Sequence, residues 1–269
     1  MSQIFEMTLT DGGTLAYRQW GEATGKPVVL VHSLAMTGGF WQPVAEMLAG
    51  KGFWVIAPDC RGHGGSSLKE GLTVERAADD IAELLDHLAI STTGIAGASM
   101  GGSVALAFAI RHPGRTRAIG LVDTTAWYGE EAPKTWKERA EKARAEGLET
   151  LVGFQTTRWF SDGFRKNSPQ VVAAAVETFL ANDIDGYASA CRMLGSCDMR
   201  PGLLGIAVPT VVLVGEEDYA TPVAMAEAMA IAIPDAELHV LPGLRHLTPL
   251  EAPETIAGRL GIVFGGGSR

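Results

Sequence analysis

Cysteine is scarce. Only Cys60, Cys191 and Cys197 occur in 269 residues, with no C-x-x-C pair. An odd, scattered set does not build a disulfide framework, so all three are expected to be reduced. Basic residues are outnumbered, 22 Lys and Arg against 31 Asp and Glu, for a net charge of -9. Such a chain has no broad attraction for nucleic acid or an anionic membrane, and any anionic ligand must be held by local cations. No stretch approaches the roughly 18 apolar residues of a membrane span, and the opening MSQIFEMTLTDGGTLAYRQW lacks the basic start and apolar core of a signal peptide. The expectation is a cytoplasmic protein with neither nucleic acid nor membrane as partner.

Metal and dinucleotide patterns are missing too. There is no H-E-x-x-H and no clustered Cys and His. Arg61-Gly62-His63-Gly64-Gly65 lacks the G-x-G-x-x-G spacing and follows the second buried strand, not the first. Neither a metal nor a cofactor is expected. No internal repeat is found, and the sequence leaves the oligomeric state open.

What is present centres on Leu88 to Arg111. The short apolar piece Gly94-Ile95-Ala96 leads into Gly97-Ala98-Ser99-Met100-Gly101, and the helix former Ser103 to Ile110 follows, ending before Pro113. A strand running into a helix through G-x-S-x-G is a nucleophile elbow. The turn forces the serine into a strained conformation, and side chains at the flanking positions would collide with the adjoining backbone, so Gly97 and Gly101 carry none. Ser99 is then exposed at the end of the sheet, beside the free N–H groups that open the helix.

The flanking chain supplies the sheet. Residues 3–9 and 14–20 alternate around Asp11-Gly12-Gly13 as a hairpin. Val28 to Val31, Phe53 to Ala57 and Ala118 to Val122 are continuous apolar runs of the kind buried on both faces, and Val208 to Val214 and Glu237 to Leu241 resume the series. Helices are expected over Phe40 to Leu48, 74–88 with Thr73 as cap, 223–232, and about Pro253 to Phe264. This alternation requires a mostly parallel sheet with helices on both faces. Residues 125–197 break it with helical patterns only: Lys134 to Glu146, Leu148 to Phe160, Pro169 to Asn182 and Ile184 to Leu194. The expected organisation is a core of residues 1–124 and 198–269 with a helical cap, 125–197, over the sheet's C-terminal edge. Residues 265–269 read as a flexible tail.

A serine hydroxyl needs a base beside it, and the imidazole needs a carboxylate to fix its tautomer. Working groups in such sheets lie beyond the strands' carboxyl ends. Ser99, Asp218 and His246 meet that rule in the order serine, acid, histidine. His32 and His63 also lie in loops on that face but precede the serine, while His87, His112 and His239 fall on helices or within a strand. Asp59 and Asp123 are rival acids that also end strands. Asp218 is favoured because Pro222 closes the turn after it. The oxyanion hole is expected from the backbone N–H groups of Met100 and Leu34.

With these residues in place the whole chain resembles an α/β-hydrolase, and within that superfamily the 3-oxoadipate enol-lactonases. The resemblance rests on His32-Ser33-Leu34, on Asp59 to Ser67 with its R-G-H-G, on Gly97 to Gly102, and above all on the cap. There Trp136 with Arg139, Arg158-Trp159-Phe160, Gly186-Tyr187-Ala188 and Asp198-Met199-Arg200 follow the lactonase order and spacing. Ala35-Met36 and Leu244-Arg245 depart from it. The resemblance implies the α/β-hydrolase fold and hydrolysis of a small enol-lactone or ester. Such a lactone carries a free carboxylate, which calls for a cation. Arg139, Arg158 and Arg192 in the cap are candidates, with Trp136 and Trp159 beside them. A general carboxylesterase, a C–C bond hydrolase or a haloperoxidase-like enzyme fits the same framework, and a non-catalytic ligand receptor is a reading of another class.

Overall fold

The computed structural model describes residues 3–69 and 71–266. Eight strands form one sheet: β1 (Ile4–Thr8), β2 (Thr14–Trp20), β3 (Lys26–Val31), β4 (Phe53–Pro58), β5 (Thr93–Ala98), β6 (Thr116–Val122), β7 (Thr210–Gly215) and β8 (Glu237–Leu241). Their order is β1-β2-β4-β3-β5-β6-β7-β8. The β1–β2 hairpin joins antiparallel to β4, and all pairings from β4 across to β8 are parallel. The continuous apolar runs become central strands because only a strand covered on both faces can bury every side chain; β4, β5 and β7 are buried throughout.

The helices are α1 (Gln42–Ala49), α2 (Val74–His87), α3 (Met100–Arg111), α4 (Ala132–Glu146), α5 (Val152–Trp159), α6 (Asp162–Asn167), α7 (Pro169–Leu180), α8 (Ile184–Ser196), α9 (Val223–Ala232), α10 (Thr248–Glu251) and α11 (Pro253–Gly265). On one face α1 packs on α11, and on the other α2 packs on α3. Helix α2 begins at Thr73, whose hydroxyl accepts from the Arg76 N–H. Helix α3 is apolar nearly all round and buried over its first ten residues, as the central crossover must be.

Five helices, α4 to α8, lie between β6 and β7. Trp127 pairs with Asp198 in an antiparallel bridge, the Met199 N–H donates to Ala126 O at 2.8 Å, and Arg200 sits 3.6 Å above the Trp127 ring. The chain thus leaves and re-enters the sheet layer at one point. Helix α6 is absent from the sequence expectation, and the expected helix over 148–160 divides into a 3₁₀ turn, Leu148–Leu151, and α5. Phe40 and Trp41 belong to a 3₁₀ turn before α1. Of the expected tail, Gly265 ends α11 and Gly266 is its left-handed cap; residues 267–269 lie outside the described residues. No described helix is long and apolar enough to cross a membrane.

The loop after β4 has a structural use. The fully buried Arg61 pairs with Asp80 of α2 at 2.7 Å and with Asp11 of the first hairpin turn at 2.6 Å. A buried guanidinium persists only when paired in this way, and the pairing fixes the hairpin against α2.

Candidate active site

Ser99 joins β5 to α3 at φ 52° and ψ -117°, a strained conformation for a residue with a Cβ. Close backbone contact holds it there. A Cβ on Gly97 would lie 1.9 Å from Gly101 O, and one on Gly101 would lie 2.1 Å from Val31 O. Neither backbone has room to move aside. Gly101→Ala is therefore expected to destabilise the fold by about 1–3 kcal/mol, read from denaturant unfolding. Unchanged stability would mean that the elbow is looser than this packing implies.

The Ser99 hydroxyl donates to His246 Nε2 at 2.9 Å. On the other side of the ring, His246 Nδ1–H donates to Asp218 Oδ2 at 2.7 Å. Asp218 follows β7 in a turn that uses its carboxylate: Oδ1 accepts from the N–H groups of Ala220 (2.7 Å) and Thr221 (3.0 Å), and Oδ2 from the Thr221 hydroxyl (2.9 Å). Burial works to raise the Asp218 pKa, but the neighbouring His246 and the Thr221 hydrogen bonds outweigh it, and the carboxyl lies below its ordinary value. All three side chains are buried, so the line of hydrogen bonds is shielded from competing water.

The rival acids do other work. Asp123, at φ 46° after β6, accepts from the Gly215 N–H at 3.1 Å and from the Thr248 N–H and hydroxyl at 2.9 and 2.7 Å. It ties the start of the Asp218 turn to the loop after His246 without touching the imidazole. Burial, then the charge of Asp218, pushes its pKa well above the usual carboxylate range. Asp59 accepts from Arg18, Gly38 N–H and Gly65 N–H and anchors the loops around it. His32 donates from Nδ1 to Ser33 O at 2.7 Å and accepts the Cys60 N–H at Nε2, 2.8 Å, so it braces the Ser33-Leu34 loop. His63 packs edge-on against it, ring centres 5.1 Å apart.

Backbone donors are available beside the serine. The N–H groups of Leu34 and Met100 have no backbone acceptor among the described residues. Met100 opens α3, where helix geometry leaves such groups free, and Leu34 lines the same cavity as Ser99.

That cavity has a volume of about 40 Å³ and is lined by Ser33, Leu34, Ser99, Tyr128, Trp136, Arg139, Gln155, Arg158, Trp159, Ala220, Thr221 and His246. Of the residues expected to meet substrate, Trp136, Arg139, Arg158 and Trp159 line it. Arg139 donates from Nε to Tyr187 Oη at 2.7 Å and lies 4.9 Å from the Trp136 ring centre. Arg158 rests 4.8 Å from the Phe154 ring centre and reaches Tyr219 O at 3.5 Å. Burial, then the charge of Arg139, lowers the Arg158 pKa. Among the described residues neither arginine has a salt bridge.

Arg192 corrects the expectation. It is exposed on α8 and lines a separate outer groove with Lys137, Glu141 and Arg144. It lies five residues beyond the buried Tyr187, about 140° round the helix. The departures named in the sequence also resolve. Arg245 points out of the cavity and into the cap, donating to Thr157 O at 2.9 Å and Phe160 O at 3.1 Å and pairing with Asp162 at 3.0 Å. With Leu247 N–H on Trp159 O at 3.0 Å and Glu251 accepting from Ser161, it staples α5 and α6 to the loop carrying His246. Ala35 O accepts from Asn182 Nδ2 at 2.8 Å, a second tie between cap and sheet. Sequence reasoning missed Tyr128, Gln155 and Thr221. Tyr128 and Thr221 follow the carboxyl ends of β6 and β7, a signal that was available.

A sequence profile described as "Alpha/beta hydrolase family" matches residues 28–259, and the chain belongs to that family. It is 32% identical to 3-oxoadipate enol-lactonase 1 of Acinetobacter baylyi, over 94% of this chain and 95% of the relative. The crystal structure of the enol-lactonase from Burkholderia xenovorans LB400 superposes with a TM-score of 0.90 at 33% identity, covering 95% of this chain and 98% of that one. A thermophilic esterase from Thermogutta terrifontis, solved with malate bound, gives a TM-score of 0.89 at 33% identity, covering 96% and 97%.

Proposed function

We propose that this enzyme opens a small, carboxylate-bearing lactone through an acyl-enzyme on Ser99, with 3-oxoadipate enol-lactone as the model substrate. The supporting observation is the pair of guanidinium groups, Arg139 and Arg158, that line the Ser99 cavity without a carboxylate partner among the described residues. An acidic protein leaves two cations unpaired in one small chamber at an electrostatic cost, and an anionic ligand removes it. The two similar enol-lactonases point the same way, and the esterase solved with malate offers a small dicarboxylate for comparison.

In this reading the reaction takes two halves. Ser99 Oγ attacks the lactone carbonyl while its proton passes to His246 Nε2, and Asp218 stabilises the resulting imidazolium. The carbonyl oxygen gains charge between the Leu34 and Met100 N–H groups. Collapse expels the ring oxygen as an enolate, which takes the proton held on His246 Nε2 and becomes a ketone, leaving the imidazole neutral. His246 then removes a proton from water as the water oxygen attacks the acyl carbon, and on collapse that proton returns to Ser99 Oγ, releasing the acid and restoring the serine. The cap, 125–197, closes this site over the core formed by 1–124 and 198–269, and the enzyme's partner is the small lactone or ester itself.

Paired kinetics test the proposal. Arg139→Ala or Arg158→Ala is expected to raise KM for the anionic enol-lactone about ten- to a hundredfold, the worth of one charge-assisted hydrogen bond. Hydrolysis of a neutral short-chain ester is expected to change little. If both variants treat the two substrates as the wild type does, the carboxylate assignment fails and a general esterase takes its place.

A further inference from the structure

Helix α5 is capped from outside. Phe160 follows it in extended conformation, φ -130° and ψ 142°, rather than as the left-handed residue that turns a chain back onto its last carbonyls. Thr156 O is met locally, by the Phe160 N–H at 3.3 Å. The carbonyls of Thr157, Trp159 and Phe160 are met from across the molecule, by residues adjacent to the triad. Thr157 O accepts from Arg245 Nη1 at 2.9 Å and from the Tyr219 hydroxyl at 2.7 Å. Trp159 O accepts from the Leu247 N–H at 3.0 Å, and Phe160 O from Arg245 Nη1 at 3.1 Å. Tyr219 follows Asp218, while Arg245 and Leu247 flank His246. A guanidinium at a helix C-terminus is favoured by the helix dipole as well. These bonds bracket Arg158, the cation that α5 sends into the Ser99 chamber. Desolvation and the like charge of Arg139 both oppose a guanidinium there, and on a frayed last turn so long a side chain would swing out to water.

We propose that Arg245 is a positioning residue: capping α5 from the His246 loop, with Tyr219 as second donor, it holds Arg158 in the chamber and thereby sets the preference for anionic substrates. The inference rests on the reading of Arg158 as a carboxylate-binding group and adds what keeps that group in place. The Arg245 side chain can act in this way without touching the chemistry, because the backbone of its loop is fixed separately. The Arg245 N–H donates to Glu251 Oε1 at 3.0 Å, and Arg245 O lies against Gly215, where a Cβ would come within 2.2 Å of it. Trp159 in turn stays packed in the cap, its ring edge-on to Phe179 at 5.5 Å between centres. Loss of the guanidinium therefore leaves His246 beside Ser99 and the cap folded, and loosens the end of α5 that carries Arg158.

Arg245→Met keeps the apolar stem and removes the donors, while Arg245→Lys keeps the charge and one donor group. Each is measured on 3-oxoadipate enol-lactone and on a neutral short-chain ester, alone and in an Arg158→Ala background. Arg245→Met is expected to raise KM for the anionic lactone about tenfold with kcat nearly unchanged, the mark of lost ground-state binding. The neutral ester is expected to be hydrolysed as by wild type, and Arg245→Lys to recover part of the lactone KM. In Arg158→Ala the Arg245→Met change is expected to add nothing, because the two act through one contact. Tyr219→Phe, which removes one hydroxyl at a half-exposed position, is expected to give the same selective rise at smaller size, since Thr157 O keeps Arg245. Where Arg245→Met does not fold, Tyr219→Phe decides by the same criteria. An unchanged lactone KM, an equal loss on both substrates, or a KM rise as large in Arg158→Ala as in wild type overturns the proposal. If Arg158→Ala by itself leaves the lactone KM unchanged, it is the carboxylate reading beneath the proposal that has failed.

Discussion

Ser99→Ala is expected to abolish hydrolysis while leaving the fold intact. In the proposed reaction the serine oxygen attacks the carbonyl and surrenders its proton to His246 Nε2, 2.9 Å away. Without it the imidazole and carboxylate have nothing to activate. Loss of the nucleophile in an established serine hydrolase costs about 10⁶ in kcat, leaving what binding and the oxyanion hole provide, roughly 10³–10⁴ over water. Stability is expected to change little, because the strain at φ 52° is borne by the backbone and alanine carries the same Cβ. Thermal unfolding and a lactone assay on one preparation check both halves. Substantial turnover by the variant would remove Ser99 from the chemistry.

Asp218→Asn is expected to cost about 10⁴ in kcat with the fold retained. The asparagine oxygen can still accept from Ala220 and Thr221 N–H. Its amide, however, presents a donor to His246 Nδ1, which must then accept, and the proton moves to Nε2 where it faces Ser99. The imidazole is thereby fixed in the tautomer that cannot act as base. Folding tolerates the change because it also removes the negative charge that helps push the buried Asp123 pKa upward. Full activity in Asp218→Asn would contradict the assignment and return attention to Asp123, whose carboxylate lies between Gly215 and Thr248.

The elbow was legible because its cause is local. Gly97 and Gly101 are dictated by contacts with Gly101 O and Val31 O, and a sequence pattern records such close approach directly. The central strands were legible because a strand covered on both faces leaves a continuous apolar run. Helix α3 begins at Met100, earlier than its composition suggests, because Gly101 and Gly102 hide its first turn. Helix α6 was invisible: Asp162–Asn167 is six residues long, mostly polar, and set by its Ser161 cap and its neighbours.

Side chains of the cap were the least legible. Arg139 and Arg158 share the Ser99 cavity while Arg192 does not, and that division follows from how α4, α5 and α8 are rotated against the sheet. On α5, Gln155, Arg158 and Trp159 line the cavity together, as the three- and four-residue spacing of a helix allows. The periodicity was in the sequence, but nothing there stated which face met Ser99. Arg245 shows the same limit. It sits next to His246 in the chain, yet its guanidinium bonds to the cap at Thr157 and Phe160. Adjacency to a reactive residue says nothing about direction.

The central claim is that His246 makes Ser99 a nucleophile. Its most direct measurement is intact-protein mass spectrometry after exposure to a fluorophosphonate, with the adduct mapped by peptide. The expected result is one adduct per chain, on Ser99, absent from Ser99→Ala and slowed by orders of magnitude in His246→Ala. No adduct in the wild type, or an adduct at another residue that forms as fast in His246→Ala, would contradict it.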